Sequence, residues 1–97
     1  MTDIQTTSHD ALIAEHRMGL QLDSRARGFH RAVERLFHAN NAPTYLVAQR
    51  RWAEVRRALR RYERIGGQPL NRTFMLYHLA EAQRLWARVK LPRICKG

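Results

Sequence analysis

The chain has 97 residues, enough for one small domain, and its 44% apolar and 27% charged content is that of a folding chain and not of a disordered one. Eighteen Lys plus Arg against eight Asp plus Glu give a formal charge of +10, a self-repulsion that a compact monomer relieves by meeting something acidic. The lone Cys95 excludes an intramolecular disulfide and a cysteine zinc cluster, and no GxGxxG, GxxxxGKS/T, HExxH, GxSxG or CxxC occurs.

These absences point away from an enzyme and from any cofactor. The start, with Asp3 and Asp10, lacks the basic and apolar regions of a secretory signal. The longest nearly apolar run, Phe74 to Ala80, is broken by His78 and falls short of the roughly 20 residues that span a bilayer. A cytoplasmic, reducing setting with no membrane partner is expected. Charge is unevenly spread. Residues 1–23 hold four acidic side chains and Arg17, a net of −3, whereas residues 24–97 hold seventeen basic and four acidic ones, a net of +13.

The expected fold is an all-α bundle of three main helices in one domain spanning 1–97, with flexible ends at 1–8 and 92–97. The first helix runs from about 7 to 39, where Thr7 and Asp10 match a capping box. Leu22, Ala26, Phe29, Val33, Leu36 and Phe37 share one face, and Arg27, Arg31 and Arg35 form a ladder on the other. Gly19 and Gly28 each cost about 1 kcal/mol inside a helix, and Asp23 with Ser24 can cap a fresh one, so a break near 19–24 is anticipated. Leu12, Ile13, Met18 and Leu20 then form a separate arm able to dock.

The second helix, about 44–65, follows the Asn40, Asn41 and Pro43 breakers. Tyr45, Ala48, Trp52, Val55, Leu59 and Tyr62 recur in a 3-4-3-4 rhythm that fixes a single apolar seam. At 100° per residue, Arg50, Arg56, Arg57, Arg60, Arg61 and Arg64 fall within an arc of about 140° roughly opposite that seam. Glu54 and Glu63 stand at its flanks. The third helix, about 72–90, starts after Gly66, Gly67 and Pro69 with Asn71 as the expected N-cap and Pro92 as terminator. Met75, Leu79, Ala82, Trp86 and Val89 form its seam, widened by Phe74, Leu76 and Leu85. A face this wide predicts that the third helix is central or forms a homodimer, with Phe74, Leu76, Leu85, Leu12 and Ile13 as the apolar contact surface.

The arginine arc is the strongest functional feature, because guanidinium forks pair bidentately with phosphate and carboxylate. The expected partner is acidic: nucleic acid first, an acidic protein surface second. The connection 66–71 is longer than a helix-turn-helix turn, and the aromatic residues of the second helix lie on its seam, so neither base reading nor a stacking platform is expected. His30, Glu34 and His38 lie at i, i+4 spacing, but Arg31 and Arg35 beside them repel a cation and no metal is expected. His9, His16 and His78 read as surface or core-edge residues. The sequence thus predicts a small non-enzymatic regulatory protein of bacterial or phage type that docks a negatively charged target. The alternative is a protein antagonist that blocks a regulator such as a transcription factor or a defence complex.

Overall fold

A computed structural model describes the backbone of residues 2–89 and the side chains of residues 9–89. The 92–97 tail, with Pro92 and Cys95, lies outside the described residues, as does Lys90. The chain forms three α-helices, α1 (Thr2–His38), α2 (Ala42–Arg64) and α3 (Thr73–Arg88), with a short 3-10 turn at Pro69–Asn71. No strand occurs among the described residues. The fold is a small all-α bundle.

α1 is one unbroken helix of 37 residues that starts at Thr2, where the sequence predicted a start at Thr7 and a break near 19–24. The reason lies in what Gly19 and Asp23 do. A Cβ at Gly19 would sit on the guanidinium of Arg72, so the glycine is there for close approach and not to interrupt the helix. Asp23 caps nothing. It receives Arg72 through Nε at 3.1 Å and Nη2 at 2.5 Å, a two-pronged pair whose planar fork matches the carboxylate. Hydrogen bonding to Asp23 raises the Arg72 pKa well above its ordinary value. The Arg72 guanidinium also lies 5.6 Å from the Tyr62 ring centroid, and the Tyr62 hydroxyl reaches Glu15 at 3.4 Å. Four residues from three segments thereby tie the end of α2 and the start of α3 to one stretch of α1.

The turn into that cluster uses its glycines for two different reasons. Gly66 has φ +87°, the left-handed conformation favoured just past a helix C-terminus, and its N–H bonds Glu63 O at 3.0 Å. Gly67 donates to Tyr62 O at 2.9 Å, and a Cβ there would fall 2.5 Å from the Tyr62 ring. Asn71, the expected N-cap of the third helix, instead closes the 3-10 turn through a bond from its N–H to Gln68 O at 3.0 Å, and Arg72 holds the cap position without a side-chain cap bond.

α2 and α3 both pack along α1 and barely touch each other. The central helix is therefore α1, not the third helix as its wide apolar face suggested. α1 is about 55 Å long at 1.5 Å per residue and runs the length of a molecule measuring 65 × 23 × 14 Å. Its stripe of Leu22, Ala26, Phe29, Ala32, Val33 and Leu36 is buried between the two flanking helices. Ala48, Val55, Ala58 and Tyr62 of α2 and Met75 and Ala82 of α3 complete the core. Phe37, which the spacing placed on the stripe, is exposed and turns its ring edge to His38 at 5.4 Å; Ala32 is buried in its stead.

His30 of α1 and His78 of α3 meet with their Nδ1 atoms 2.8 Å apart, a contact that needs opposite tautomers and at least one neutral ring. Burial holds His78 below its ordinary value of 6.5, helped by His30, Arg27 and Arg31 and opposed by Glu34.

These contacts set two measurable outcomes. A methyl group at Gly28 would meet nothing within 4 Å, so Gly28→Ala gains helix propensity and raises stability by about 0.5 to 1 kcal/mol. Gly19→Ala, the same substitution in the same helix, must push the Arg72 guanidinium aside at Asp23 and so gains less than Gly28→Ala; an equal gain at both sites in urea unfolding would remove Gly19 from the cluster. For His78, the folded state binds fewer protons than the unfolded state below about pH 6.5, so its stabilising contribution is full above that value and is lost as pH falls towards the depressed folded pKa. The melting temperature is thus lower at about pH 5 than at about pH 7.5, and His78→Asn narrows the difference. Identical pH dependence in the variant would show that His78 does not contribute in this way.

Candidate polyanion interface and an aromatic groove

The register of α2 is set at its first turn. The Asn41 side chain accepts from Thr44 N at 3.0 Å while Thr44 Oγ1 accepts from Asn41 N at 3.2 Å, a reciprocal capping box that begins the helix at Ala42, with Pro43 in its first turn. With Ala48, Val55, Ala58 and Tyr62 buried against α1, the helical period sends the far face to solvent. Arg50, Arg56, Arg57, Arg60, Arg61 and Arg64 are all exposed there, and none of them forms an ion pair among the described residues. From Arg50 to Arg64 this track rises about 21 Å at 1.5 Å per residue.

No carboxylate among the described residues pairs with it. Glu54 turns towards α1, where it meets Arg51 at 3.1 Å and Arg25 at 3.4 Å. Glu63 is exposed and forms no ion pair among the described residues. Asp23 holds Arg72, and Glu81 pairs with Arg84 on α3 at 2.6 Å, which draws the Glu81 pKa down.

Arg27, Arg31 and Arg35 of α1 are exposed as the sequence placed them. Arg27 and Arg31 line a cleft of about 180 Å³ beside Gly28, facing Arg25 and Arg51, so the cationic surface continues from α1 towards α2. Arg35 lies by the start of α2, in a hollow with Pro43 and Val47. Sequence reasoning missed Arg25 and Arg51. Both fall on the side of their helix nearest the other helix, and only the packing of α1 on α2 brings them together.

The apolar surface candidates divide. Leu12 is 63% exposed, Phe74 49% and Ile13 39%, whereas Leu76 and Leu85 are partly buried and pack against the core. Leu12 and Ile13 belong to the continuous α1 and not to a separate arm.

The spacing gave no warning of a groove between α2 and α3. Because these helices meet α1 without closing on each other, an opening of about 570 Å³ remains over Phe29 of α1. Trp52 of α2 and Trp86 of α3 line it, their ring centroids 5.1 and 6.1 Å from that of Phe29. Gln49 and Arg56 contribute from α2, and Gln83 and Ala87 from α3. The expectation that the aromatic residues of α2 are shut away on its seam does not hold for Trp52, which, like Trp86 of α3, packs on the core yet is partly exposed in the groove. The i, i+3, i+7 spacing of Gln49, Trp52 and Arg56 marks one ridge of the helix, but no periodicity tells how widely two flanking helices are splayed.

The His30, Glu34 and His38 strip does not converge. His30 Nε2 stands 3.9 Å from Glu34, His30 turns its Nδ1 to His78, and no group of three metal-ligating side chains occurs among the described residues. Nor is any helix among the described residues long and apolar enough to cross a membrane. Comparison with protein-family models, curated proteins and solved structures gives no match for this chain, so the surface itself carries the functional reading.

Proposed function

We propose that the chain is a small non-enzymatic binding module that docks nucleic acid through the arginine face of α2, contacting phosphates without reading sequence. The observation that carries this reading is the absence of any carboxylate partner for Arg50, Arg56, Arg57, Arg60, Arg61 and Arg64 among the described residues. An inert helix face interleaves signs; here like charges crowd one side of a rod and repel one another until counter-charge arrives. A linear track of about 21 Å suits a polymer that carries evenly spaced charges better than a single acidic side chain. Guanidinium groups grip phosphate oxygens two at a time, and Arg27 and Arg31 extend the track to α1. Self-association as a homodimer belongs to the same reading: the exposed Phe74 and Tyr77 edge of α3 is its contact surface, and a second copy doubles the arginine track.

The test is binding of a labelled oligonucleotide followed by fluorescence anisotropy at several salt concentrations, with sedimentation to count subunits. Six phosphate contacts give a log-log salt slope of about −5 on duplex and about −4 on single strands. Arg57→Glu combined with Arg61→Glu lowers affinity at least about tenfold, roughly 1.4 kcal/mol, while the helical circular dichroism is unchanged. Affinity that ignores salt, or that survives the double substitution, would sink the reading. A stoichiometric acidic protein retained from a nuclease-treated lysate would replace nucleic acid as the target of the same face.

A further inference from the structure

The groove over Phe29 has the make-up of a ligand site. Its volume of about 570 Å³ lies within the range of pockets that hold small planar molecules. Three aromatic rings supply flat apolar surface, since Phe29 lies near both Trp52 and Trp86, and Tyr45, outside the lining, braces Trp86 from 5.6 Å. Polar groups stand on both sides: Gln49 and Gln83 each carry a carbonyl acceptor and an amide donor, the complement of a base edge. No carboxylate among the described residues lines the groove. A purely apolar ligand has no use for two amides and a guanidinium.

Arg56 decides the class of occupant. It lines the groove and is also the edge member of the arginine arc, so groove and track share a side chain and form one surface. A strand whose phosphates follow the track has its bases within reach of the groove. In duplex those bases are stacked and paired, and extruding one costs a few kcal/mol; in a single strand they are already available. Resting on the arginine-track reading, we propose that the groove between α2 and α3 takes an unstacked base of a single strand, so that the module prefers single-stranded nucleic acid to duplex.

The chain has two tryptophans, Trp52 and Trp86, and both line the groove, so intrinsic fluorescence reports its occupancy without a label. The full chain is titrated at about 50 mM salt with a single-stranded oligonucleotide, a duplex of the same length, inorganic polyphosphate and adenosine monophosphate. The single strand is expected to quench tryptophan emission and to bind about tenfold more tightly than duplex, the low end of what stacking one base contributes. Polyphosphate, which has no bases, competes for the track and leaves emission unchanged. Trp86→Ala removes a core aromatic and can unfold the chain, so the groove is blocked instead by Ala87→Phe at an exposed lining position. This variant keeps its duplex affinity and loses both the quenching and the single-strand preference.

Equal affinity for strand and duplex with no quenching would overturn the base site and leave the arginine track standing. Quenching by adenosine monophosphate in a protein that binds neither polymer nor polyphosphate would overturn the track and retain the base site. Emission that shifts with protein concentration and ignores nucleotides would show a second copy filling the groove, which also overturns the assignment.

Discussion

Leu22, Ala26, Phe29, Val33 and Leu36 form a stripe on α1 that both other helices need in order to bury their own seams. Neither flanking helix has another apolar surface of comparable length to pack on, and each fully buried Leu or Val is worth about 1.5 to 3 kcal/mol. In a chain that buries only about 60 to 65% of the surface its unfolded form exposes, that stripe is most of the core. The order of the fold follows. The short 39–41 connection returns α2 antiparallel to α1, and the Arg72 cluster then starts α3 on the opposite flank. Because the stripe is shared, α2 and α3 lie beside α1 rather than on one another, and the molecule is only 14 Å across in its thinnest direction.

That flatness bears on both functional surfaces. In a closed bundle the facing sides of α2 and α3 would bury Trp52 and Trp86 completely; here they border an open groove. Among the described residues no other element covers the back of α2 to supply carboxylates, which is how six guanidiniums there stay without an ion pair. Two of the four acids in the first 23 residues serve internal ties instead: Asp23 to Arg72 and Glu15 to Tyr62. Acid at Asp23, Glu15 and Glu54 is thus used between elements, while the arginines of the α2 back face outwards.

The α2 seam was legible because 3-4-3-4 spacing over a full helix admits one reading, and the outward direction of its arginines follows from the same geometry. The breakers at 40–43 and 66–69 marked both turns for equally local reasons. The continuity of α1 was not legible: a glycine that admits an incoming guanidinium and a glycine that interrupts a helix look alike until residue 72 is placed against residue 19. His30 and His78 met the same obstacle. They are 48 positions apart, and only the packing of α3 on α1 makes them partners. The groove needed an interhelical gap, which depends on three helices at once and on no single segment.

The Arg72 cluster also governs which part of the molecule can detach. α3 is the shortest α-helix among the described residues, packs mainly on α1 with one ring contact from Tyr45 of α2, and keeps Phe74 and Tyr77 exposed. Its leading end is fastened by one guanidinium that engages Asp23 and the Tyr62 ring. Loss of that fastening would loosen residues 73–88 before the hairpin of α1 and α2, a sub-global opening of the kind that costs less than complete unfolding. Backbone amides of α3 would then exchange with solvent ahead of those beneath Leu22 and Val33, and the side of the aromatic groove that carries Trp86 would be the first to loosen.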